Sequence, residues 1–194
     1  MTQRPIKPAP TVIVLAAGQG RRFRQSGGGM HKLGAPLHGI PVLERVLQTV
    51  TASGLPCHVV RSEQDARGNP SGMGDSIARG VRATAQAEGW LILPGDLPLI
   101  MVDSLLQVAL NLASYPVVAP IWNEQQGHPV GFGAECFAAL AALHGDTGAA
   151  SIVRAHRHAG SLMTLPLNDP GIATDIDTLD DLARAEALLA ACPS

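Results

Sequence analysis

The sequence is poor in aromatic residues and has no long hydrophobic run. Aromatic side chains form 3% of its 194 residues, against 46% for all hydrophobic types, so aliphatic side chains must dominate the core. No apolar segment approaches the ~20 residues that span a bilayer, and residues 1–10 lack the apolar centre of a signal peptide. We therefore expect a cytoplasmic protein that does not bind membranes.

The sequence also lacks a charge excess and a cysteine pattern. It has 14 basic and 16 acidic residues, which gives no broad basic surface for nucleic acid. Its three cysteines, Cys57, Cys136 and Cys192, are far apart and form no Cys-x-x-Cys pair, which argues against a disulfide framework and against a zinc site. A functional site must therefore be built from residues other than cysteine, and its charged side chains must cluster locally.

Apolar segments of strand length alternate along the chain with longer segments of helical period. This alternation is typical of βαβ units, and it predicts a three-layer, Rossmann-like α/β fold with a mostly parallel sheet and helices on both faces. Strands are predicted at 11–17, 57–61, 90–93, 117–119, 130–133 and 162–165, and helices at 42–51, 76–87, 103–113, 135–143, 149–158 and 180–191. We expect a flexible tail at residues 1–10 and one domain over residues 11–194, with its ligand beyond the carboxyl ends of the strands.

A glycine- and arginine-rich loop follows the first predicted strand. It contains Gly18, Gly20, Arg21 and Arg22, and Lys32 follows a few residues later. Glycines let backbone N–H groups approach phosphate oxygens, while arginine and lysine supply the positive charge that a triphosphate requires. Neither a P-loop nor a dinucleotide fingerprint is present. The loop favours phosphate binding, with a flexible polar turn as the alternative.

Three aspartates follow apolar segments and are candidates for a magnesium site. Asp96 comes soon after the third predicted strand, where it could bridge a metal ion and a triphosphate or serve as an ordinary turn residue. Asp175 and Asp177 lie on one side of a short extended segment, by the two-residue period of a strand. One of them could be the second metal ligand and the other a helix cap.

Two further groups could contact substrates. Gly72 and Ser76 lie at the start of a predicted helix, where small residues would admit a base or ribose and the hydroxyl would donate a hydrogen bond, unless the serine only caps the helix. His128 precedes a predicted strand, where it could hold a second substrate or be an exposed loop residue.

Seven short motifs occur in the order seen in the molybdenum cofactor nucleotidyltransferases. They are Leu15-Ala16-Ala17-Gly18-x-Gly20-x-Arg22, His31-Lys32-Leu33, Gly72-Met73-Gly74-x-Ser76, Gly95-Asp96-Leu97-Pro98, Gly127-His128-Pro129, Gly145-Asp146-x-Gly148-Ala149 and Asp175-Ile176-Asp177-Thr178. Each motif is weak alone, but seven in register are specific. The chain resembles the cytidylyltransferase branch of this family, which tends to read Leu-Ala-Ala-Gly where the guanylyl-transferring branch reads Leu-Ala-Gly-Gly.

The resemblance implies a nucleotide-diphospho-sugar transferase-like fold and the Mg²⁺-dependent transfer of CMP from CTP to molybdopterin or the molybdenum cofactor, with release of pyrophosphate. The product would serve a xanthine-dehydrogenase-type client enzyme. Arg22, Lys32 and Asp96 would be catalytic. The nucleotide would contact Leu15, Ala16, Ala17, Gly18, Gly20, Gly72 and Ser76, the acceptor would contact His128, Asp146 and Gly148, and the metal would bind Asp96 with Asp175 or Asp177.

Two alternatives stay open. A nucleotidyltransferase of the same fold could use GTP or act on another phosphorylated acceptor, because fold and triphosphate loop do not identify the acceptor. Thr147 stands where many relatives have a basic residue that could contact a phosphorylated acceptor, so the identity of the acceptor stays open. A non-catalytic protein that carries or inserts the molybdenum cofactor could keep the nucleotide-binding shape, although the retained Lys32, Asp96 and Asp175 argue against it.

Overall fold

A seven-stranded sheet forms the centre of the computed structural model, which describes residues 9–62 and 71–191. Residues 1–8 of the predicted tail and Cys192 lie outside these ranges. The other two cysteines are free thiols: Cys57 is exposed and Cys136 is buried. The strands are β1 (Thr11–Ala16), β2 (Pro36–Leu37), β3 (Ile40–Pro41), β4 (Cys57–Arg61), β5 (Gly89–Pro94), β6 (Val117–Trp122), β7 (Gln125–Gln126), β8 (Val130–Gly133) and β9 (Leu162–Pro166). The helices are α1 (Arg21–Gln25), α2 (Val42–Ser53), α3 (Met73–Ala83), α4 (Val102–Asn111), α5 (Phe137–Ala141), α6 (Ala150–His158) and α7 (Leu179–Ala191).

Two strands, β7 and β8, run antiparallel to the other five strands of the sheet. The order is β4-β1-β5-β8-β6-β7, with β9 beside β6, and β2 pairs with β3 in a separate hairpin. β1 is parallel to β4 and β5, and β6 is parallel to β9, whereas β8 is antiparallel to both of its neighbours. Because β8 runs in the opposite direction, it begins at the edge where β1 and β5 end. Residues just before β8 therefore reach the same edge as residues just after β5.

Helices cover both faces of the sheet, and alternate side chains of β1 are buried on each side. Val12 and Val14 belong to a core cluster with side chains of α2 and α4. Ile13 belongs to a second cluster with side chains of α3, α5 and α6. The predicted three-layer α/β fold with a mostly parallel sheet is therefore confirmed. No helix within the described residues is long and apolar enough to span a bilayer.

A third, smaller cluster supports the loop after β1. Phe23 of α1 packs there with Leu33, Leu37 and residues of α7. The glycine-rich segment wraps around this ring, since a Cβ at Gly28 would overlap the ring of Phe23. Phe23 stands where a dinucleotide fingerprint would have its third glycine. It is a core residue, with 1% of its surface exposed.

Two predicted helices differ from the observed ones. α3 begins at Met73 instead of residue 76, because the Asp75 carboxylate accepts a hydrogen bond from Gly72 N at 3.0 Å and so caps the helix earlier. The helix predicted at 135–143 divides into a 3₁₀ turn at Ala134–Cys136 and the short α5. The five-residue α1 has no counterpart among the predicted elements.

A buried aspartate fixes the loop that leads from β9 towards the edge of the sheet. The Asp169 carboxylate accepts hydrogen bonds from Ser104 Oγ at 2.6 Å, Gly171 N at 2.8 Å and Met101 N at 3.0 Å. Only 1% of this residue is exposed. Asp169 therefore ties the segment that precedes Asp175 to the start of α4.

Replacing Asp169 with alanine should lower the free energy of unfolding by about 3 kcal/mol, because buried donors then lose a charged acceptor. Urea denaturation followed by circular dichroism measures this change. Glu88→Ala removes a carboxylate that is exposed in a turn, and it should change the free energy by less than about 0.5 kcal/mol. Equal denaturation midpoints for the two variants would show that Asp169 does not hold this loop.

Candidate active site

A cleft of about 360 Å³ opens at the carboxyl ends of β1 and β5. Its walls come from the loop after β1, the turn after β5, the start of α3 and the loop before α6. Eight of the residues predicted from the sequence line it: Leu15, Ala17, Gly18, Lys32, Gly72, Ser76, Asp96 and Asp146. The other predicted residues, Ala16, Gly20, Arg22, His128, Gly148, Asp175 and Asp177, are not part of this lining.

One lysine lies between two carboxylates at the cleft. Lys32 Nζ donates hydrogen bonds to Asp96 Oδ2 at 2.5 Å and to Asp177 Oδ1 at 2.7 Å. The side chains of Lys32, Asp96 and Asp177 are 10%, 17% and 16% exposed. Arg22 completes the network from the solvent side, with a nitrogen 2.7 Å from Asp177 Oδ2. Four residues that the sequence predicted, from three separate segments of the chain, therefore form one charged cluster.

Opposite charges set the protonation of this cluster. Burial alone would lower the pKa of Lys32, but the charges of Asp96 and Asp177, together with hydrogen bonds to both, raise it above its ordinary value. Burial would raise the pKa of Asp177, but Lys32 and Arg22 hold it below its usual range. The lysine therefore stays an ammonium and Asp177 stays a carboxylate at neutral pH.

Asp175 and Asp177 lie on one side of an extended segment, as the two-residue period predicts. Ile176 between them is fully buried, and its N–H donates to Asp96 O at 3.0 Å. Partial desolvation and the nearby charge of Asp177 raise the pKa of Asp175. Neither of the two aspartates caps α7. Thr178 and Asp181 cap it instead, with Asp181 accepting from Thr178 N at 2.7 Å and Thr178 Oγ1 accepting from Asp181 N at 3.2 Å.

His128 is close to Asp96 but is not at the mouth of the cleft. Burial lowers the pKa of His128, and a hydrogen bond to the Ile92 backbone and the charge of Asp96 oppose this only in part. Two side-chain atoms in the described ranges are buried without a hydrogen-bond partner, Asp96 Oδ1 and His128 Nδ1. The antiparallel direction of β8 brings these two residues to the same edge of the sheet.

The two arginines of the loop have different surroundings. Arg21 lines the cleft, and its Nε donates to Gln19 Oε1 at 2.7 Å. Arg22 instead contacts Asp177, with 74% of its side chain exposed. The family resemblance implies a catalytic role for Arg22, but the spacing of a motif cannot tell which of two adjacent arginines faces the cleft.

The glycines at the start of α3 are required mainly by a second loop. A Cβ at Gly72 would overlap the backbone of Gly145, and a Cβ at Gly74 would lie 2.6 Å from Thr147 O. Gly74 N also donates to Gly145 O at 2.8 Å. This packing holds the loop that carries Asp146 and Gly148 against the start of α3. The Ser76 hydroxyl donates to Gly72 O at 2.9 Å, and its oxygen can still accept a hydrogen bond at the cleft.

His31 is a site residue to which sequence reasoning assigned no partner. Its Nε2 lies 2.7 Å from Gly18 O, and its Nδ1 accepts from Leu33 N at 3.3 Å. Because Nδ1 accepts, Nε2 carries the proton and donates to Gly18. Gly20 nearby has a φ of 60°, which only glycine adopts without strain. The imidazole thus holds the loop after β1 against the turn that carries Lys32.

The carboxylates suit a hard divalent cation that also binds phosphate. No group of three or more His, Cys, Asp or Glu side chains in residues 9–62 and 71–191 is arranged to hold a metal ion by itself. Magnesium, however, prefers one or two carboxylates and takes its remaining ligands from water and substrate phosphate. Asp96 Oδ1 has no hydrogen-bond partner among the described residues, which leaves capacity on this carboxylate for such an ion.

A family model of MobA-like NTP transferase domains matches residues 12–159, which include the first strand, Lys32 and Asp96. The chain belongs to this family. The family is one of NTP transferase domains, and the matched range contains the residues that line the cleft at the ends of β1 and β5. The matched residues end before Asp175 and Asp177, which join the site only through the fold.

Curated relatives of this MobA-like domain include longer proteins. The bifunctional protein GlmU of Coxiella burnetii is 33% identical over 125 residues, which are 54% of this chain and 26% of that protein. GlmU of Xanthomonas oryzae pv. oryzae is 30% identical over 139 residues, covering 63% and 29%. The chain therefore spans less than a third of the length of these relatives.

Solved structures share the fold of this MobA-like domain at lower identity. A nucleotidyl transferase from Methanothermobacter thermautotroptrophicus has a TM-score of 0.77 at 21% identity, covering 94% of this chain and 98% of that chain. The manganese complex of Rv0371c from Mycobacterium tuberculosis has a TM-score of 0.69 at 22% identity, covering 93% and 98%. Molybdopterin-guanine dinucleotide biosynthesis protein A from Archaeoglobus fulgidus has a TM-score of 0.59 at 17% identity, covering 94% and 100%. These likenesses support the fold.

His31→Ala should loosen the loop after β1 in this MobA-like domain. The variant loses the hydrogen bonds to Gly18 and Leu33, which should cost about 1 kcal/mol and speed amide hydrogen exchange in the loop. Exchange measured by mass spectrometry over residues 17–22 checks this. His158→Ala, an exposed residue at the end of α6, is the matched control. Unchanged exchange in the His31 variant would mean that the imidazole does not hold the loop.

Proposed function

We propose that this chain transfers CMP from CTP to a molybdopterin-type acceptor, with Mg²⁺, and releases pyrophosphate. The observation that supports this most is the cluster of Lys32, Asp96 and Asp177 beside the glycine-rich loop. It supplies both the cation and the carboxylates that nucleotidyl transfer requires. We take the catalytic domain to extend over residues 11–194, as the sequence predicts.

Asp96 and Asp177 are the proposed metal ligands. The ammonium of Lys32 lies within 2.7 Å of both carboxylates, so their oxygens already converge on one cation. Asp175 is adjacent and is the alternative ligand; burial and the charge of Asp177 raise the pKa of its carboxyl. When bound, Mg²⁺ would neutralise charge on the triphosphate and on the departing pyrophosphate.

The chain's own residues bind and orient the triphosphate. Arg21 and Lys32 line the cleft, where they would pair with phosphate oxygens, and the amides after Gly18 would donate to them. An acceptor phosphate oxygen then attacks the α-phosphorus of CTP in line, and the bond to pyrophosphate breaks. No covalent intermediate with the protein is needed. Catalysis consists of positioning and of charge stabilisation at the leaving group.

Different groups of residues would contact the nucleotide and the acceptor. Leu15, Ala17, Gly18, Gly72 and Ser76 are the proposed nucleotide contacts. Ala16 packs with the cluster around Phe23 and Gly20 turns the chain into α1, so these two residues would act by shaping the loop.

The acceptor would lie next to the loop before α6. Asp146 lines the cleft, and Gly148 lies close to Met73, whose side chain is 53% exposed. His128 would act through its neighbour Asp96, because its ring is buried. A xanthine-dehydrogenase-type enzyme is the proposed recipient of the product.

Transfer of GMP from GTP is the second candidate. The Archaeoglobus protein that shares this fold is named for molybdopterin-guanine dinucleotide biosynthesis. The loop of the present chain reads Leu15-Ala16-Ala17-Gly18, the form that the cytidylyltransferase branch tends to have, which favours cytosine.

Incubation with Mg²⁺, purified molybdopterin and each nucleoside triphosphate in turn should release pyrophosphate fastest with CTP, by about tenfold over GTP, which is the discrimination that about 1.4 kcal/mol provides. A coupled phosphate assay measures the release. Faster release with GTP would select the second candidate. Release only with another phosphorylated acceptor would reject the pterin, and tight pterin binding without release would indicate a carrier protein.

Arg21 and Arg22 form a matched pair of variants. Arg21→Met should weaken CTP binding about tenfold when measured by calorimetry without divalent metal, because it removes a charged contact to phosphate. Arg22→Met removes the adjacent charge, which contacts Asp177 instead, and should weaken binding less than about twofold under the same conditions. The reverse order of effects would make Arg22 the phosphate contact.

A further inference from the structure

We propose that Lys32 is an internal cation that holds the carboxylates of Asp96 and Asp177 until a divalent metal ion replaces it, and that Lys32 then pairs with the triphosphate. This rests on the proposed function, because it takes these two aspartates to be the metal ligands. Lys32 and the metal ion then compete for the same carboxylate oxygens of Asp96 and Asp177. The metal therefore binds strongly only when a nucleotide is also bound.

The geometry makes the two cations exclusive. The Lys32 ammonium lies 2.5 Å from Asp96 Oδ2 and 2.7 Å from Asp177 Oδ1. A second cation bridging these oxygens would meet the ammonium at contact distance, where repulsion is strong in a partly buried site. The ion pair and the bridging metal are therefore alternative states of the same two carboxylates.

The displaced lysine needs another anion. Only 10% of its side chain is exposed, so an ammonium that leaves Asp96 and Asp177 without a new partner would remain poorly solvated. Lys32 lines the cleft together with Gly18 and Arg21. A triphosphate bound there would provide the anion within reach of the same side chain.

The carboxylates remain partnered after the exchange. Arg22 stays with Asp177 through the second carboxylate oxygen, Oδ2, at 2.7 Å. Asp96 Oδ1 has no hydrogen-bond partner among the described residues, so moving Lys32 away from Oδ2 would leave this carboxylate for the ion alone. The divalent ion would bring two positive charges to the carboxylates in place of the single charge of the Lys32 ammonium. The ammonium would then pair with the phosphates. Metal and nucleotide binding are thereby coupled through one side chain.

Removing the internal cation should strengthen metal binding in the absence of nucleotide. The test measures Mn²⁺ binding to the nucleotide-free full chain by electron paramagnetic resonance of free Mn²⁺. Lys32→Met should bind Mn²⁺ about tenfold more tightly than the wild type, a usual size for such coupling. Lys32→Arg keeps the charge and should show no gain. Arg154→Met removes an exposed cation from α6 and should leave Mn²⁺ affinity unchanged.

Two further measurements control for folding and for the ligand. Circular dichroism verifies the fold of each variant, and Mn²⁺ should raise the melting temperature of Lys32→Met more than that of the wild type. Lys32→Gln is a second neutral variant with the same expected gain. Adding Asp96→Asn to Lys32→Met should abolish the gain, and its persistence would place the ion elsewhere and overturn the proposal.

Equal or weaker Mn²⁺ binding by both neutral variants would overturn the exchange. That result is separable from the proposed function, since pyrophosphate release is measured on the wild type. Release by the wild type without a gain in the variants would remove the exchange and keep the transferase. A gain in the variants with an inactive wild type would keep the exchange of cations and reject the transferase.

Discussion

The pairing of one buried ammonium with two carboxylates is the interaction on which the site depends. Lys32 is 64 residues from Asp96 and 145 residues from Asp177 in the sequence, so the cluster forms only when three distant segments meet. Burying charge is unfavourable unless it is paired, and an unbalanced set would be strongly destabilising. The ammonium provides that balance without a metal ion. It also keeps the carboxylates in the position in which they could bind one.

The sheet brings those segments together through its mixture of strand directions. β1 and β5 are parallel neighbours, which puts the glycine-rich loop after β1 and Asp96 side by side at their carboxyl ends. The segment after β9 returns to the same edge, where Ile176 N binds the backbone of Asp96. Asp169 anchors this return through α4. The segment that carries Asp177 is thus held in place partly by hydrogen bonds outside the cleft.

The sequence predicted the parts of this site that follow from local pattern. The positions of the main strands, the alternation of Asp175 and Asp177 around Ile176, and the fold class all depend on periodicity, and the structure confirms them. The strand predicted at 117–119 extends to Trp122. The sequence could not assign the partners of His31 or choose between Arg21 and Arg22, because both depend on the path of the chain after β1. Gly72 lines the cleft, and the close approach of the Gly145 backbone, which also requires a glycine there, could not be seen in the sequence.

The two sides of the cleft differ in how strongly the fold constrains them. Around Lys32, each charged group has a partner or a buried position, so few other residues would serve there. On the other side, the loop before α6 carries the exposed Asp146 and is held mainly through backbone contacts with Gly72 and Gly74. Backbone contacts fix the position of a loop without fixing its side chains. If the acceptor binds there, as we propose, it can differ between proteins that share the charged cluster, which is why the residues identify the reaction class more readily than the molecule that receives the nucleotide.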